Sequence, residues 1–290
     1  MQMMGHLPAL LHNDPHEALV IGFGTGATAA SLLEYPIESV TVAEISPAVI
    51  EAAPYSRTGN LALLDNPRLH LFIEDGRNLL TRLPRQYDLI VLEPMPPYFA
   101  KVVNLYTKEF YALAIDRLNT GGILCQWLPL HLLSPEMLAM VLHSFLLAFD
   151  DVLIWQEPKS NIAMMLGVNG SFSLDLGRLG RGMARPKVAA DLAAAGVLSA
   201  ADLINHFVMN RALAEQFSAS APLVSDNHPL LEFAGVRAMR YGVATRYGQE
   251  NAERLRLCGT ALQPQLEEGG GIEMVLRPRK ASSCVSKLKE

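Results

Sequence analysis

Cysteine is scarce in this chain of 290 residues: Cys125, Cys258 and Cys284 are its three, and no two stand in C-x-x-C spacing. That excludes a disulfide framework or a zinc knuckle as the organising feature and makes a reduced, cytoplasmic setting the expectation. Long apolar runs are missing too. The least charged stretch, 118–135, is interrupted by Gly121, Gly122, Gln126 and Pro129, and the opening MQMMGHLPALLHN has no basic segment. Neither a membrane span nor a secretion signal is expected. Nor is there an excess of positive charge. Twenty-four Lys and Arg face 29 Asp and Glu, for a net charge of −5, which argues against nucleic acid as the partner. No repeat of solenoid length, roughly 20–50 residues, recurs.

What is present is apolar residue, 50% of the chain against 18% charged, ample for a buried core. From Ala18 to Val168, short β-branched runs alternate with segments of helical period, the pattern of crossover helices covering a mostly parallel sheet. The runs predict seven strands, at 18–22, 39–43, 69–73, 88–92, 121–127, 151–156 and 162–168. Helices are predicted at 27–34, 47–53, 76–82, 107–117 and 134–147, the last with Ser134 as N-cap and Pro135 at its first position. Five residues, EPKSN, join the last two strands. They are too few for a crossover helix, so a hairpin is expected. Composition then divides the chain into a nucleotide-binding domain over 1–170 and a helical extension over 171–236, capped by Ser199. The remainder, 237–290, with its triple glycine and basic, Ser-rich end, reads as a partly disordered tail. The segment PLVSDNHPLLEF reads as a loop entering a short extended piece.

Strand one runs into Gly22-Phe23-Gly24-Thr25-Gly26 and then directly into a helix. Glycines there let backbone approach a ligand closely, and helix N-terminal amides favour a polar or anionic group. Glu44 closes the second strand, where a carboxylate can accept hydrogen bonds from both hydroxyls of a ribose. Gly22-x-Gly24-x-x-Ala27 also satisfies the dinucleotide fingerprint. The later strands distinguish the two. Asp75-Gly76 ends the third and Glu93 the fourth. Carboxylates at three neighbouring strand ends would repel a pyrophosphate and suit an adenosyl-sulfonium. No Tyr-x-x-x-Lys pair of the kind used in hydride transfer is present. The blander role for Asp75 is an N-cap of the following helix.

These residues resemble the spermidine synthase family of aminopropyltransferases, within the class I adenosylmethionine-dependent methyltransferase fold. The resemblance covers residues 6–168 through HLP, VIGFGTG, VAEISPAVIEAA, DNPRLHLFIEDGRNLL, YDLIVLEPMPP and LYTKEFYALAIDRLNTGGILCQWLPL. EPMPPYFAKVVNLYTKEFY and PLVSDNHPLLEF look like the soluble domain of bacterial proteins fused to membrane helices. The resemblance implies an α/β, doubly wound, seven-stranded Rossmann-like sheet with a C-terminal helical appendage. It implies that Gly22, Gly24, Thr25, Gly26, Glu44, Asp75 and Gly76 hold decarboxylated S-adenosylmethionine, and that Glu93 takes the proton from the attacking amine. An ammonium cannot attack carbon until it loses that proton.

Three departures keep alternatives open. Thr25 stands where family loops carry an Asp that binds the donor's amino end, Pro96 stands where a second acceptor-gripping carboxylate is usual, and Glu93 is one methylene longer than the usual Asp. The chain also starts where an N-terminal β-rich domain normally ends. The expected reaction is aminopropyl transfer to a small cationic amine, with methyl transfer from S-adenosylmethionine and a catalytically silent nucleoside-binding module as alternatives. A second copy of the chain, and a membrane domain if the chain is a fragment, are the protein partners compatible with it. Tyr98 and Tyr106 are candidates for a lid or for acceptor contacts, whereas Phe110 and Tyr111 read as core. His12 and His16 have metal-ligand spacing, but Asn13-Asp14-Pro15 breaks the helix that would align them, so no metal is expected. His131 reads as a packed loop residue and Asp226-Asn227-His228 as a turn before Pro229.

Overall fold

The computed structural model describes residues 2–55, 61–99, 101–158, 160–239, 244–259, 262–268 and 272–278. The chain begins with α1 (Gln2–Leu11), β1 (Glu17–Ile21), α2 (Ala27–Leu33), β2 (Ser39–Glu44), α3 (Pro47–Ala52) and α4 (Leu61–Leu64). It continues through β3 (Leu69–Ile73), α5 (Gly76–Arg82), β4 (Tyr87–Leu92), α6 (Lys108–Ile115), β5 (Leu118–Pro129), α7 (Pro135–Leu146), β6 (Asp151–Gln156) and β7 (Ile162–Val168). Then come β8 (Leu174–Asp175), α8 (Leu176–Met183), α9 (Pro186–Ala194), α10 (Ala200–Asn205), β9 (Phe207–Asn210), α11 (Arg211–Ser218), α12 (Leu230–Met239), α13 (Ala244–Gly259), β10 (Leu262–Glu268) and β11 (Ile272–Pro278).

The main sheet has the order β3-β2-β1-β4-β5-β7-β6-β9. Its first five strands pair in parallel, and β2 and β4 are buried along their whole length. That is why they read as near-continuous apolar runs: helices cover both faces of a parallel sheet. β7 runs antiparallel to both β5 and β6, so the expected hairpin forms. Ser134 accepts from the Met137 amide at 3.3 Å, Ser199 from Asp202 at 3.0 Å, and Thr107 caps α6 through Phe110 at 3.2 Å.

The sheet has eight strands where the apolar runs predict seven. β9 adds antiparallel to β6, inside a stretch whose helical period masks a four-residue strand. The helix α1 also escapes the sequence pattern: nine of its ten residues are buried, so it shows no polar stripe, and Pro8 speaks against a helix. At Gly5 a Cβ would lie 2.6 Å from the Thr28 carbonyl oxygen, so glycine lets α1 and α2 touch. PLLEF begins α12, not an extended piece. The segment that reads as a partly disordered tail holds α13 and the antiparallel hairpin β10–β11, which pairs with β8. The Asn251 amide in α13 donates to the carbonyls of Leu130 (2.9 Å) and Leu133 (2.7 Å) and so docks that helix on the loop after β5. Gly269, Gly270 and Gly271 and the basic end after 278 lie outside the described residues. Among the described residues no helix is long and apolar enough to cross a membrane.

The amino edge of the sheet is closed by Asp88 at the start of β4. It accepts from the amides of His16 (2.8 Å) and Glu17 (2.9 Å) and from the Asn119 side chain (2.8 Å). Burial alone would raise this carboxyl. The three donors bind its ionised form and hold it below its ordinary value.

Candidate active site at the carboxyl edge of the sheet

The strands β3, β2, β1 and β4 are consecutive neighbours, so the residues that follow their C-terminal ends face one crevice. That crevice lies where the strand order reverses direction, the usual ligand position in a doubly wound sheet. The residues singled out in the sequence, Gly22–Gly26, Glu44, Asp75, Gly76 and Glu93, all stand on this edge.

The glycine loop is shaped by its backbone. Gly22, Gly24 and Gly26 have φ of 92°, 55° and 75°, a region where a Cβ is strained. An added Cβ at Gly22 or Gly24 would meet nothing within 4 Å, so the glycines serve conformation and leave open space on the ligand side. The loop is pinned from both sides. The Gly22 amide donates to the Ala43 carbonyl at 2.8 Å, and the Phe23 amide donates to Glu44 Oε2 at 2.8 Å. Glu44 Oε1 also accepts from the Ser46 amide at 2.9 Å. Glu44 is only 6% exposed, and its carboxylate, with lone pairs beyond those two bonds, links the loop to the start of α3.

Asp75 is the N-cap of α5, as its blander reading has it: Oδ1 accepts from the amides of Arg77 and Asn78, both at 3.0 Å. Both capping bonds use the same oxygen, so capping leaves Oδ2 outside the pair. Gly76 is required by packing: a Cβ there would lie 2.4 Å from Ile21 Cγ2.

Glu93 follows β4 and is half-buried. Burial pushes its carboxyl above the usual range, the charge of Glu157 pushes the same way, and a hydrogen bond from Thr28 pulls against them. That bond, Thr28 Oγ1 to Glu93 Oε1, is 2.9 Å. Cys125, fully buried in β5, has its thiol raised by burial and further by the Glu93 charge. A carboxyl raised above its ordinary value is better suited to accept a proton.

The loop after β4 holds the aromatic candidates, and they separate. Tyr98 is half-buried and stacks on exposed Phe99, centroids 5.3 Å apart. Tyr106 is 0% exposed and its hydroxyl donates to the Met95 carbonyl at 3.3 Å. It therefore supports the loop from below and does not offer its ring at the loop's surface. Phe110 and Tyr111 are core, with Tyr111 edge-on to Phe145 at 4.9 Å. His12 and His16 do not converge: His12 accepts from the Asp14 amide, while His16 pairs with Asp14 and Glu38. His131 packs in its loop, its Nδ1 3.5 Å from the Asn161 carbonyl oxygen.

Two features escape a reading of the sequence. Thr28, the second residue of α2, reaches Glu93; the loop sequence FGTGAT carries it, but nothing in the spacing shows that it faces β4. Ile45 and Ile73 are 70% and 51% exposed, and Ile73 is paired with Glu44 across β2 and β3. Apolar side chains exposed beside a carboxylate suit a flat heterocycle. In the pattern alone they are indistinguishable from the last core residues of their strands.

Residues 1–152 match the family model described as Spermine/spermidine synthase domain. A polyamine aminopropyltransferase of Nitrosomonas europaea is 38% identical over 151 residues, covering 51% of this chain and 45% of that protein. One of Bacillus subtilis is 30% identical over 141 residues, covering 48% and 51%. The chain thus spans about half the length of the curated relatives it matches. Among solved structures, the spermidine synthase of Thermotoga maritima aligns at TM-score 0.50 and 21% identity over 64% of this chain and 63% of that one. A probable spermidine synthase of Corynebacterium glutamicum aligns at 0.53 and 17% over 78% of each. At these identities the likeness is one of fold, and it agrees with the methyltransferase-like sheet described above.

Proposed function

The chain belongs to the spermine/spermidine synthase family, and on that premise we propose that it transfers an aminopropyl group from decarboxylated S-adenosylmethionine to a small amine. The observation that carries the reading is Glu93, a half-buried carboxylate with a raised pKa at the end of β4, beside the glycine loop. In the proposed reaction Glu93 accepts a proton from the acceptor's ammonium. The freed nitrogen lone pair attacks the aminopropyl carbon attached to sulfur, the C–S bond breaks, and its electrons return to sulfur. The products are 5′-methylthioadenosine and the lengthened amine. The sulfonium is already a good leaving group, so positioning is the protein's main remaining task.

The residues present fit such a donor. Glu44 can take the ribose hydroxyls with its remaining lone pairs, Gly22 and Gly24 leave room for close approach, and Ile45 and Ile73 offer an apolar wall to adenine. The carboxylates Glu44, Asp75 and Glu93 give the edge a negative charge that favours a sulfonium and an amine.

Thr25 favours a second reading, methyl transfer from S-adenosylmethionine itself, because no carboxylate stands at that loop position to repel the donor's own. Calorimetric titration with the two donors separates them. Tighter binding of the decarboxylated donor is the expected result, and a clear preference for the carboxylated one would overturn the aminopropyl reading.

A further inference from the structure

Beyond the region that the family model matches, the turn at 225–228 returns the chain to the carboxyl edge of the sheet. Residues 225–228 form a tight turn in which the amides of Ser225 and His228 each donate to the other's carbonyl. The turn presents Asp226 to Arg77, the residue directly after Asp75-Gly76. The guanidinium grips it with two parallel bonds, Nη1 to Oδ1 at 2.8 Å and Nη2 to Oδ2 at 2.5 Å. Such a fork fixes direction as well as distance.

The same two residues hold the far end of the loop after β4. Arg77 Nη1 donates to the Asn104 carbonyl at 3.2 Å, and Thr107, the N-cap of α6, donates its hydroxyl to Asp226 Oδ1 at 2.8 Å. The Asp226 amide donates to Glu109 Oε2 at 3.1 Å, and the Lys108 amide to the Val224 carbonyl at 3.0 Å. One side chain from the C-terminal region therefore ties the first turn of α5 to the start of α6. Those two points bound the adenine side of the crevice and the end of the loop that carries Tyr98 and Phe99.

We propose that Asp226 is a positioning residue for the nucleoside site, through which the C-terminal extension sets the placement of Asp75-Gly76 and of the loop ending at Tyr106. This rests on the reading of Asp75 and Gly76 as part of the nucleoside pocket. The Asp226 side chain bonds to Arg77 and Thr107, and it acts through them. A turn whose only task was to end the extension would need no bidentate partner on α5.

The test uses the full chain with Asp226→Asn, which keeps the shape and removes the charge. Backbone hydrogen exchange is followed at 76–79 and 102–107, together with calorimetric affinity for 5′-methylthioadenosine. Faster exchange in both segments and an affinity loss of roughly 2- to 160-fold, the range for coupling within one bonded network, are expected, with recovery in Asp226→Glu. Faster exchange confined to 222–228, or unchanged affinity despite loosening in both segments, would overturn the proposal. If Asp226→Asn does not fold, Arg77→Lys keeps the charge but loses the fork, and the same pair of segments must loosen. Wild-type protein that fails to bind methylthioadenosine would contradict the functional reading, while the exchange comparison would still decide the fastening.

Discussion

Thr28 donates a hydrogen bond to Glu93 across 2.9 Å, so the helix that follows the glycine loop holds the carboxylate proposed as base. The bond favours the ionised form, against burial and the Glu157 charge, which raise the carboxyl. The donor loop and the proton acceptor are thereby one mechanical unit.

Replacing Thr28 by Val removes that bond and nearly conserves volume. The Glu93 pKa should rise further, and the acidic limb of the kcat/KM profile should move to higher pH. A profile with an unmoved acidic limb would show that Glu93 is not the group titrating there.

Glu93→Gln should lower turnover by about 10²–10⁴-fold while sparing donor affinity. Its effect on stability has the opposite sign. A carboxyl raised in the folded state is tolerated when protonated, and it destabilises increasingly as pH rises through the unfolded value and then the folded one. The variant should therefore unfold at higher denaturant than wild type at neutral pH, and the gain should vanish below the ordinary carboxylate range. Denaturant midpoints across pH check this, and an advantage that persists at low pH would mean that burial of charge is not its cause.

At Glu44, substitution by Ala should weaken 5′-methylthioadenosine binding by about 1–3 kcal/mol, because ribose bonds and the support of the Phe23 amide are lost together. Calorimetry reads the change, and unaltered affinity would place the ribose elsewhere.

Asp88 provides the contrast at the opposite edge. Asp88→Ala leaves the amides of His16 and Glu17 and the Asn119 side chain without their acceptor and should cost about 2–3 kcal/mol of stability. Its carboxyl is lowered in the fold, so the stability it contributes is complete above the ordinary carboxylate value and is lost as pH falls through the folded one. Nucleoside affinity of the folded variant should match wild type; a large loss would mean that the two edges are coupled.

Most of the sheet and the carboxylates that the candidate site gathers at its carboxyl edge are legible in the amino-acid pattern. Strands buried on both faces advertise themselves as apolar runs, which is why β1, β2, β4, β6 and β7 can be read, while β3, at the edge of the sheet with only Leu69 buried, is legible from its apolar composition alone. Ser134, Ser199 and Asp75 behave as N-caps because capping is a local interaction. What cannot be read depends on distant contacts. α1 is buried almost all round and carries Pro8, so it lacks an amphipathic stripe. β9 exists because β6 offers it an edge. Tyr106 belongs to the right loop but points inward, and the orientation of a loop aromatic is decided by packing that no spacing records. Thr28 facing Glu93 and Asp226 facing Arg77 are likewise pairings across 65 and 149 residues, set only once the sheet has assembled.

The central claim is tested most directly by incubating the protein with decarboxylated S-adenosylmethionine and a diamine such as putrescine and following 5′-methylthioadenosine and the lengthened amine by mass spectrometry. Equal molar formation of both products, abolished or nearly so in Glu93→Gln, is the predicted result. Absence of both products from a protein that binds the donor, or methylated amine formed from S-adenosylmethionine instead, would contradict it.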